Sequence, residues 1–204
     1  MRRTKEEAEN TRQAILDAAV TVFSDRGVAK STLENIAREA KVTRGAIYWH
    51  FANKVEIFDA LHDHLHSPFI QRILEGLEVE HADPVGQLQK ICTEILTELH
   101  EEPQTQKLLT LFLLKCDYSG EFADSKAKFL AKKRRTYDAF AAYFTKAIEG
   151  NYISAKADPH LLTLALQSLF HGLVVEFLED PVTINLQQDG PRLMAMLFAS
   201  FRHY

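Results

Sequence analysis

Cysteine, glycine and uninterrupted apolar runs are all scarce in this chain, and each scarcity closes off a class of protein. Only two cysteines are present, Cys92 and Cys116. They are too few for a disulfide framework, so a reducing cytoplasm is the expected compartment. Both fall in apolar, helically periodic segments, where a thiol serves as a small hydrophobe. The eight glycines are scattered, with no GxGxxG or other phosphate-cradling loop. No nucleophile–base pair or metal triad stands out either, so neither an enzyme nor a cofactor is expected. No apolar run follows the basic start, which predicts no secretory leader. The longest apolar stretches, such as 161–166, are broken by polar residues well short of the ~20 needed to cross a bilayer, so no membrane association is expected. Two-residue alternation, internal repeats and low-complexity tracts are also missing.

What remains is helix. Apolar residues make up 46% of the chain, enough to build a core, and every convincing segment has helical period. A first helix carries Ile15, Ala18, Ala19, Val22 and Phe23 on one face and stops near Gly27. A second carries Leu33, Ile36, Ala37 and Ala40, with Ser31 and Glu34 spaced as a capping box. A third opens at Thr43 as N-cap and runs to about His50. A longer fourth helix starts near Asn53–Lys54, and Pro68 is expected to kink or end it. Asp83-Pro84 and Asp158-Pro159 each read as an N-cap followed by proline in the first turn, predicting helices over 84–101 and 159–179. Between them lie an apolar helix (about 104–116), expected to be buried on all sides, and a long one (about 121–149). A final helix follows Gly190-Pro191. The fold class is therefore all-α, about nine helices, with a division at 1–54 and 55–204 that shares the fourth helix.

Net charge is −4, which alone argues against a nucleic-acid partner, but its distribution reverses that. Residues 1–54 hold ten Lys/Arg against seven Asp/Glu, whereas 55–204 hold fourteen against twenty-one. A basic end on an acidic body fits a molecule that meets phosphate at one end only.

Residues 33–54, LENIAREAKVTRGAIYWHFANK, read as two short amphipathic helices around a three-residue turn, the layout that lowers a second helix into the major groove. Ser31 and Thr32 supply hydroxyls at the N-terminus of the first helix of the pair, suited to a phosphate. On the second, Arg44 can fork onto guanine O6 and N7, Gly45 permits close backbone approach, and Ala46 can meet a thymine methyl. Tyr48 offers a ring to a base edge and a hydroxyl to phosphate. His50 and Lys54 sit at the far end, within reach of the opposite backbone. Ile47 and Phe51 face inward. Arg2, Arg3 and Lys5 form a basic arm that is either solvated or a backbone or minor-groove contact.

TRGAIYWHFANK, preceded by NTRQAILDAAVTVFSDRGV, resembles the DNA-binding domain of the TetR (tetracycline repressor) family. RRTKEEAENTR and LFLLKCDYSGEF extend the likeness toward the multidrug-efflux (AcrR/TtgR-like) subgroup. The resemblance implies a homodimer, a palindromic double-stranded DNA operator, and release from it by a hydrophobic small-molecule inducer. It implies phosphate contacts from Thr32, Thr43, Tyr48, His50 and Lys54, and base contacts from Arg44, Gly45 and Ala46. It places a ligand among His66, Phe69, Cys92, Leu96, Leu109, Phe112, Leu113, Cys116, Phe170, His171 and Val174. Two departures stand out. Lys41 occupies the turn position usually held by glycine, and Ala52 stands where family members often carry a basic residue.

Other readings of single features are plainer. His171 amid hydrocarbon needs a polar partner, whether in the core, at a dimer interface or on a ligand. His62 and His66 share a helical face above Asp59, a spacing able to bind zinc but more often a solvated surface, so no metal is assigned. Lys132–Arg135 reads as the wet face of the long helix. The apolar faces of the last two helices, including Leu193, Met194, Leu197, Phe198 and Phe201, suggest a four-helix dimer interface. The function expected is an efflux-operon repressor; the alternative is a TetR-type regulator of lipid, catabolic or quorum-related genes.

Overall fold

The computed structural model describes residues 5–79 and 81–202. Among them are nine α-helices and no strand: α1 Lys5–Arg26, α2 Leu33–Glu39, α3 Arg44–His50, α4 Lys54–Glu78, α5 Pro84–Glu101, α6 Pro103–Thr110, α7 Ala123–Glu149, α8 Pro159–Glu179 and α9 Asp189–Arg202. Arg2 and Arg3 of the expected basic arm lie outside the described residues, and Lys5 opens α1.

The chain packs as two compact units, residues 1–65 with 107–129, and 66–106 with 130–204. The packing division falls inside α4, after residue 65. The reason is local: Ile57, Phe58 and Leu61 of α4 are almost fully buried in the same core as Ile15, Phe23, Ile36 and Ile47. Phe58 is that core's hub. Its ring meets Phe122 at 4.9 Å, Phe112 at 5.0 Å, Tyr118 at 5.8 Å and Phe23 at 6.5 Å between centroids. Such tilted and edge-on pairs add to the burial itself.

In the second unit, α5 packs on α9 and α8 on α9. Asp83 caps α5 through Gly86 N–H (2.9 Å) and also holds Arg202 of α9 at 2.6 Å. Asp158 caps α8 through His160 N–H at 2.8 Å. Both Asp-Pro starts thus fall where the sequence puts them. On the face between α4 and α5, Arg72 forks to Glu94 (3.0 Å) and Glu98 (2.6 Å).

Several expectations are corrected. The capping box of α2 is Thr32 with Asn35, not Ser31 with Glu34: Asn35 N–H donates to Thr32 Oγ1 at 3.2 Å and Thr32 N–H to Asn35 Oδ1 at 3.3 Å. Ser31 is buried, its hydroxyl donating to the carbonyls of Gly27 (2.7 Å) and Val22 (3.3 Å). Of the two outcomes open at Pro68, a kink or an end, the end does not occur: α4 runs through it for 25 residues. Proline removes one rung, and the burial of Leu61, Ile70 and Ile73 on either side keeps the helix together. The apolar helix near 104–116 is α6 plus a π-helical turn, Leu111–Lys115. Only Leu108, Leu111 and Phe112 of it are buried; Leu109, Leu113, Leu114 and Cys116 are half-exposed. The π turn shifts the register by a residue, so a run that looks apolar all round does not bury all round.

Finally, α8 is by length and composition apolar enough to cross a bilayer, despite its polar interruptions. One face of it, with Leu162, Leu166, Leu173, Val174 and Phe177, is buried within the second unit, while Leu161 and Leu164 are exposed. On α9, Met194, Phe198 and Phe201 also turn inward. The face left over there carries Ala195, Met196, Ala199 and Ser200. The apolar residues expected at a dimer interface are therefore partly spent on the unit's own core.

Truncating the hub is expected to be severe. Phe58→Ala should lower unfolding free energy by about 3–5 kcal/mol, read by denaturant titration. An exposed control such as Leu130→Ala should change it by less than about 0.5 kcal/mol.

Candidate nucleic-acid interface and ligand-facing residues

A helix of seven residues does not form by itself in water, so α3 is held from outside. Two left-handed and capping devices do this. Lys41 takes φ +54°, and the Val42 and Lys41 N–H groups donate to the carbonyls of Ala37 (3.0 Å) and Arg38 (3.2 Å). That is a Schellman closure of α2, completed by lysine where glycine is unstrained. Two residues on, Thr43 Oγ1 accepts from Ala46 N–H at 3.1 Å and starts α3. Ile47 (0% exposed) and Phe51 (4%) then anchor its inner face, and the Arg12 guanidinium lies 5.3 Å from the Phe51 ring. At the start of α4, Asn53 Oδ1 accepts from Glu56 N–H (2.9 Å) while Ala52 N–H donates to Glu56 Oε2 (2.6 Å). This reciprocal cap occupies the spot where Ala52 departs from the family pattern.

The outer face is correspondingly free. Thr32, Thr43, Arg44, Gly45, Tyr48 and Trp49 are exposed, and Ala46 and His50 are half-exposed. Arg44 Nη2 donates to the Tyr48 hydroxyl at 3.1 Å, and its guanidinium carbon sits 5.4 Å from the Tyr48 ring centroid. Gly45 is not required by the protein's own packing: a Cβ there would meet only Thr43 Oγ1, at 3.9 Å. Trp49, which the sequence reading passes over, is 69% exposed and stands edge-on to His50 at 4.5 Å. A large aromatic in the middle of the outer face was the available signal.

Lys54 is arranged differently from the rest. Its ammonium donates to the carbonyls of Val28 (2.9 Å) and Ala29 (3.1 Å), pairs with Glu121 at 2.9 Å and lies 5.4 Å from the Phe122 ring centroid.

The residues expected to face a ligand divide between the units. Leu109, Phe112, Leu113 and Cys116 belong to the first, where Phe112 is part of the hub around Phe58. In the second, Phe69 meets Phe170 at 5.8 Å and Phe140 at 6.3 Å. His66 Nε2 is in hydrogen-bond contact with Thr136 Oγ1 at 3.0 Å. Phe140 and Thr136 of α7 escape the sequence reading because their helix reads as a mostly charged surface. Cys92 and Leu96 are fully buried core, and Val174 is buried. His171 is exposed on α8 rather than sunk in hydrocarbon. Partial desolvation and the nearby Lys133 still lower its pKa from the ordinary imidazole value.

Two buried polar atoms of this unit, Tyr143 Oη and His100 Nδ1, have no hydrogen-bond partner among the described residues. Burial, aided by Cys92, pushes the Tyr143 phenol up to about 12. Desolvation raises the Cys92 thiol to about 12 as well, and desolvation with Asp117 raises Cys116 to about 11. Neither thiol is poised for redox chemistry at neutral pH. The zinc reading of Asp59, His62 and His66 meets other partners. Asp59 accepts from Ser125 Oγ (2.7 Å) and Lys128 Nζ (2.5 Å), and His62 is buried edge-on to Phe112 (5.0 Å) and Phe129 (4.9 Å).

Comparison with known proteins matches this layout. A family model described as bacterial regulatory proteins, tetR family, covers residues 15–61, and one described as MAATS-type transcriptional repressor, C-terminal region, covers 83–203. The HTH-type transcriptional regulator TtgR of Pseudomonas putida is 31% identical over 93% of this chain and 90% of its own length. Among solved structures, the SmeT–triclosan complex superposes with TM-score 0.86 at 30% identity, covering 94% of this chain and 91% of that one. NalD, the secondary repressor of the MexAB-OprM multidrug efflux pump in Pseudomonas aeruginosa, superposes with TM-score 0.84 at 30% identity, covering 96% and 97%.

The strain at the α2–α3 turn is testable without DNA. Lys41→Gly should raise stability by about 0.5–1 kcal/mol, seen as a higher denaturation midpoint at unchanged slope.

Proposed function

This chain belongs to the TetR family of bacterial regulatory proteins, and on that footing we propose that it is a cytoplasmic, homodimeric repressor of a multidrug efflux operon, released from a palindromic operator by hydrophobic small molecules. The observation that carries the DNA half is the division of labour on α3. Every inward side chain is consumed by anchoring, while Thr43, Arg44, Gly45, Tyr48 and Trp49 stand on the open face beside the exposed Thr32 cap. Arg44, Gly45 and Ala46 would meet base edges; Thr32, Thr43, Tyr48 and His50 would hold the backbone, with Trp49 added to that set and Lys54 joining as argued below. The reading domain proper is taken as 1–54, and 55–204 as the ligand-binding and dimerising part.

The ligand half rests on a cluster of aromatic rings with few polar groups, the composition that suits an amphipathic drug-sized molecule. Phe69, Phe140 and Phe170 supply the rings. His66 supplies a polar tip, and the unpartnered Tyr143 and His100 atoms lie in the same unit. Phe170, Val174 and His171 on α8, with Cys92 and Leu96 on α5, complete the proposed set there. Leu109, Phe112, Leu113 and Cys116 are proposed as the segment that registers occupancy in the first unit. Both α4 and α7 begin in one unit and end in the other, so a change of helix tilt has a covalent route to the reading helices. A ligand acts only through unequal affinity for the two states; a coupling of ~1–3 kcal/mol shifts operator binding 5- to 150-fold. Dimer pairing is proposed through the leftover faces of α8 and α9, with Leu161, Leu164 and Met196 exposed there. Small neighbours such as Ala165, Ala195 and Ala199 allow close helix approach. No catalytic role is assigned.

The test is a titration of the DNA upstream of the protein's own gene. Binding should weaken steeply with salt, and hydrophobic antibiotics, flavonoids or dyes that bind the protein should weaken it at least fivefold. A ligand shown to bind by calorimetry that leaves the DNA complex untouched would refute induction, and salt-insensitive binding would refute backbone contact.

A further inference from the structure

Lys54 is a cation of the proposed DNA set whose charge is already engaged within the protein. An ammonium has three protons to donate, and here they go to Val28 O, Ala29 O and Glu121 Oε1 at 2.9, 3.1 and 2.9 Å. Its side chain is only 11% exposed, whereas that of Glu121 is 53% exposed. The two carbonyls are fixed in the loop that leads into α2. Glu121 instead rides a 3₁₀ turn, Gly120–Phe122, that precedes α7. Gly120 adopts φ +56°, a left-handed step that brings Glu121 and Phe122 onto Lys54 together. Phe122 is pinned by the Phe58 hub (4.9 Å), so the backbone of this turn stays put while the Glu121 carboxylate remains in contact with water.

A cation in the first turn of α4 also faces the positive end of a helix dipole, so it needs an anion beside it. In the free protein the carboxylate paired with Lys54 is Glu121, while Glu56 of the same turn is engaged by Ala52 N–H. We propose that Glu121 is a positioning residue for DNA binding, a carboxylate that stands in for a DNA phosphate on Lys54 and must be displaced when the operator docks. This rests on the DNA-binding reading above and deepens it. Operator affinity is then set partly from residue 121, outside the reading domain, on a turn that follows the π-helical segment after residues 116–119. Weakening the Lys54–Glu121 pair tightens the DNA complex; strengthening it loosens the complex.

The experiment compares wild type, Glu121→Gln, Lys54→Gln and the double variant as full-length protein, by fluorescence anisotropy on one operator fragment across a salt series. Glu121→Gln should bind roughly 2- to 30-fold tighter, because each protomer loses a competing, partly exposed ion pair, with the salt slope unchanged. Lys54→Gln should flatten the slope by about 0.9 per protomer as one phosphate contact is lost. In the Lys54→Gln background, adding Glu121→Gln should give no further gain. If Glu121→Gln binds no tighter, or its gain survives without Lys54, the displacement idea is overturned. If Lys54→Gln weakens binding at unchanged slope, Lys54 is a brace and the idea is again overturned. Thermal melts of all four proteins exclude misfolding, and a wild type that ignores DNA would sink the DNA-binding reading itself, a separate result.

Discussion

A recognition helix that gives its outer face away must be stabilised entirely from its inner one. That constraint governs the first unit. In α3 it leaves two side chains, Ile47 and Phe51, to bury, with Thr43 capping one end and the Arg12 guanidinium covering Phe51. Burial of two such groups is worth about 3–6 kcal/mol, less than the ~7–14 kcal/mol of backbone entropy that ordering seven residues costs. Isolated, the helix would melt. It persists because Ile47 enters a core that α1, α2, the first turns of α4 and residues 107–129 build together around Phe58. The rigidity of the outer face is thus a property of a core assembled largely from distant sequence.

Much of this was legible in one dimension. Helix starts with a side-chain cap carry their own signal, since Asp followed by proline, or threonine before a small-residue helix, has few other uses. Thr43, Asp83 and Asp158 all act as N-caps in the structure. The inward residues of α1 to α3 also follow from a 3.6-residue period. What was not legible depends on three-dimensional neighbours. Ser31 and Thr32 are equally plausible caps by type; only the fold decides that Ser31 bonds back to Val22 and Gly27 and leaves Thr32 at the surface. Period counting also fails across a π turn, which is why 108–116 looked buried all round. Glu121 was invisible because its partner lies 67 positions away in sequence, and Trp49 was overlooked because exposed aromatics carry no periodic signature.

The histidines teach a related lesson. His62 and His66 share a face by spacing, yet the first is sandwiched between aromatic rings and the second meets a threonine hydroxyl. A helical spacing compatible with metal is only a statement about directions; the groups that arrive from other helices decide what those directions meet. The same holds for the apolar surfaces of α8 and α9. Part of their hydrophobic content enters the unit's own core, and the apolar residues left outside mix Leu161, Leu164 and Met196 with alanines.

Proline at position 68 lies three residues beyond the point where α4 passes from one packing unit to the other. It withholds an N–H from the His64 carbonyl, so the shaft lacks a rung there. A rod with a missing rung concentrates bending at that level and stays stiff elsewhere. The helix is consequently a shaft of two stiff segments with its compliance gathered between them.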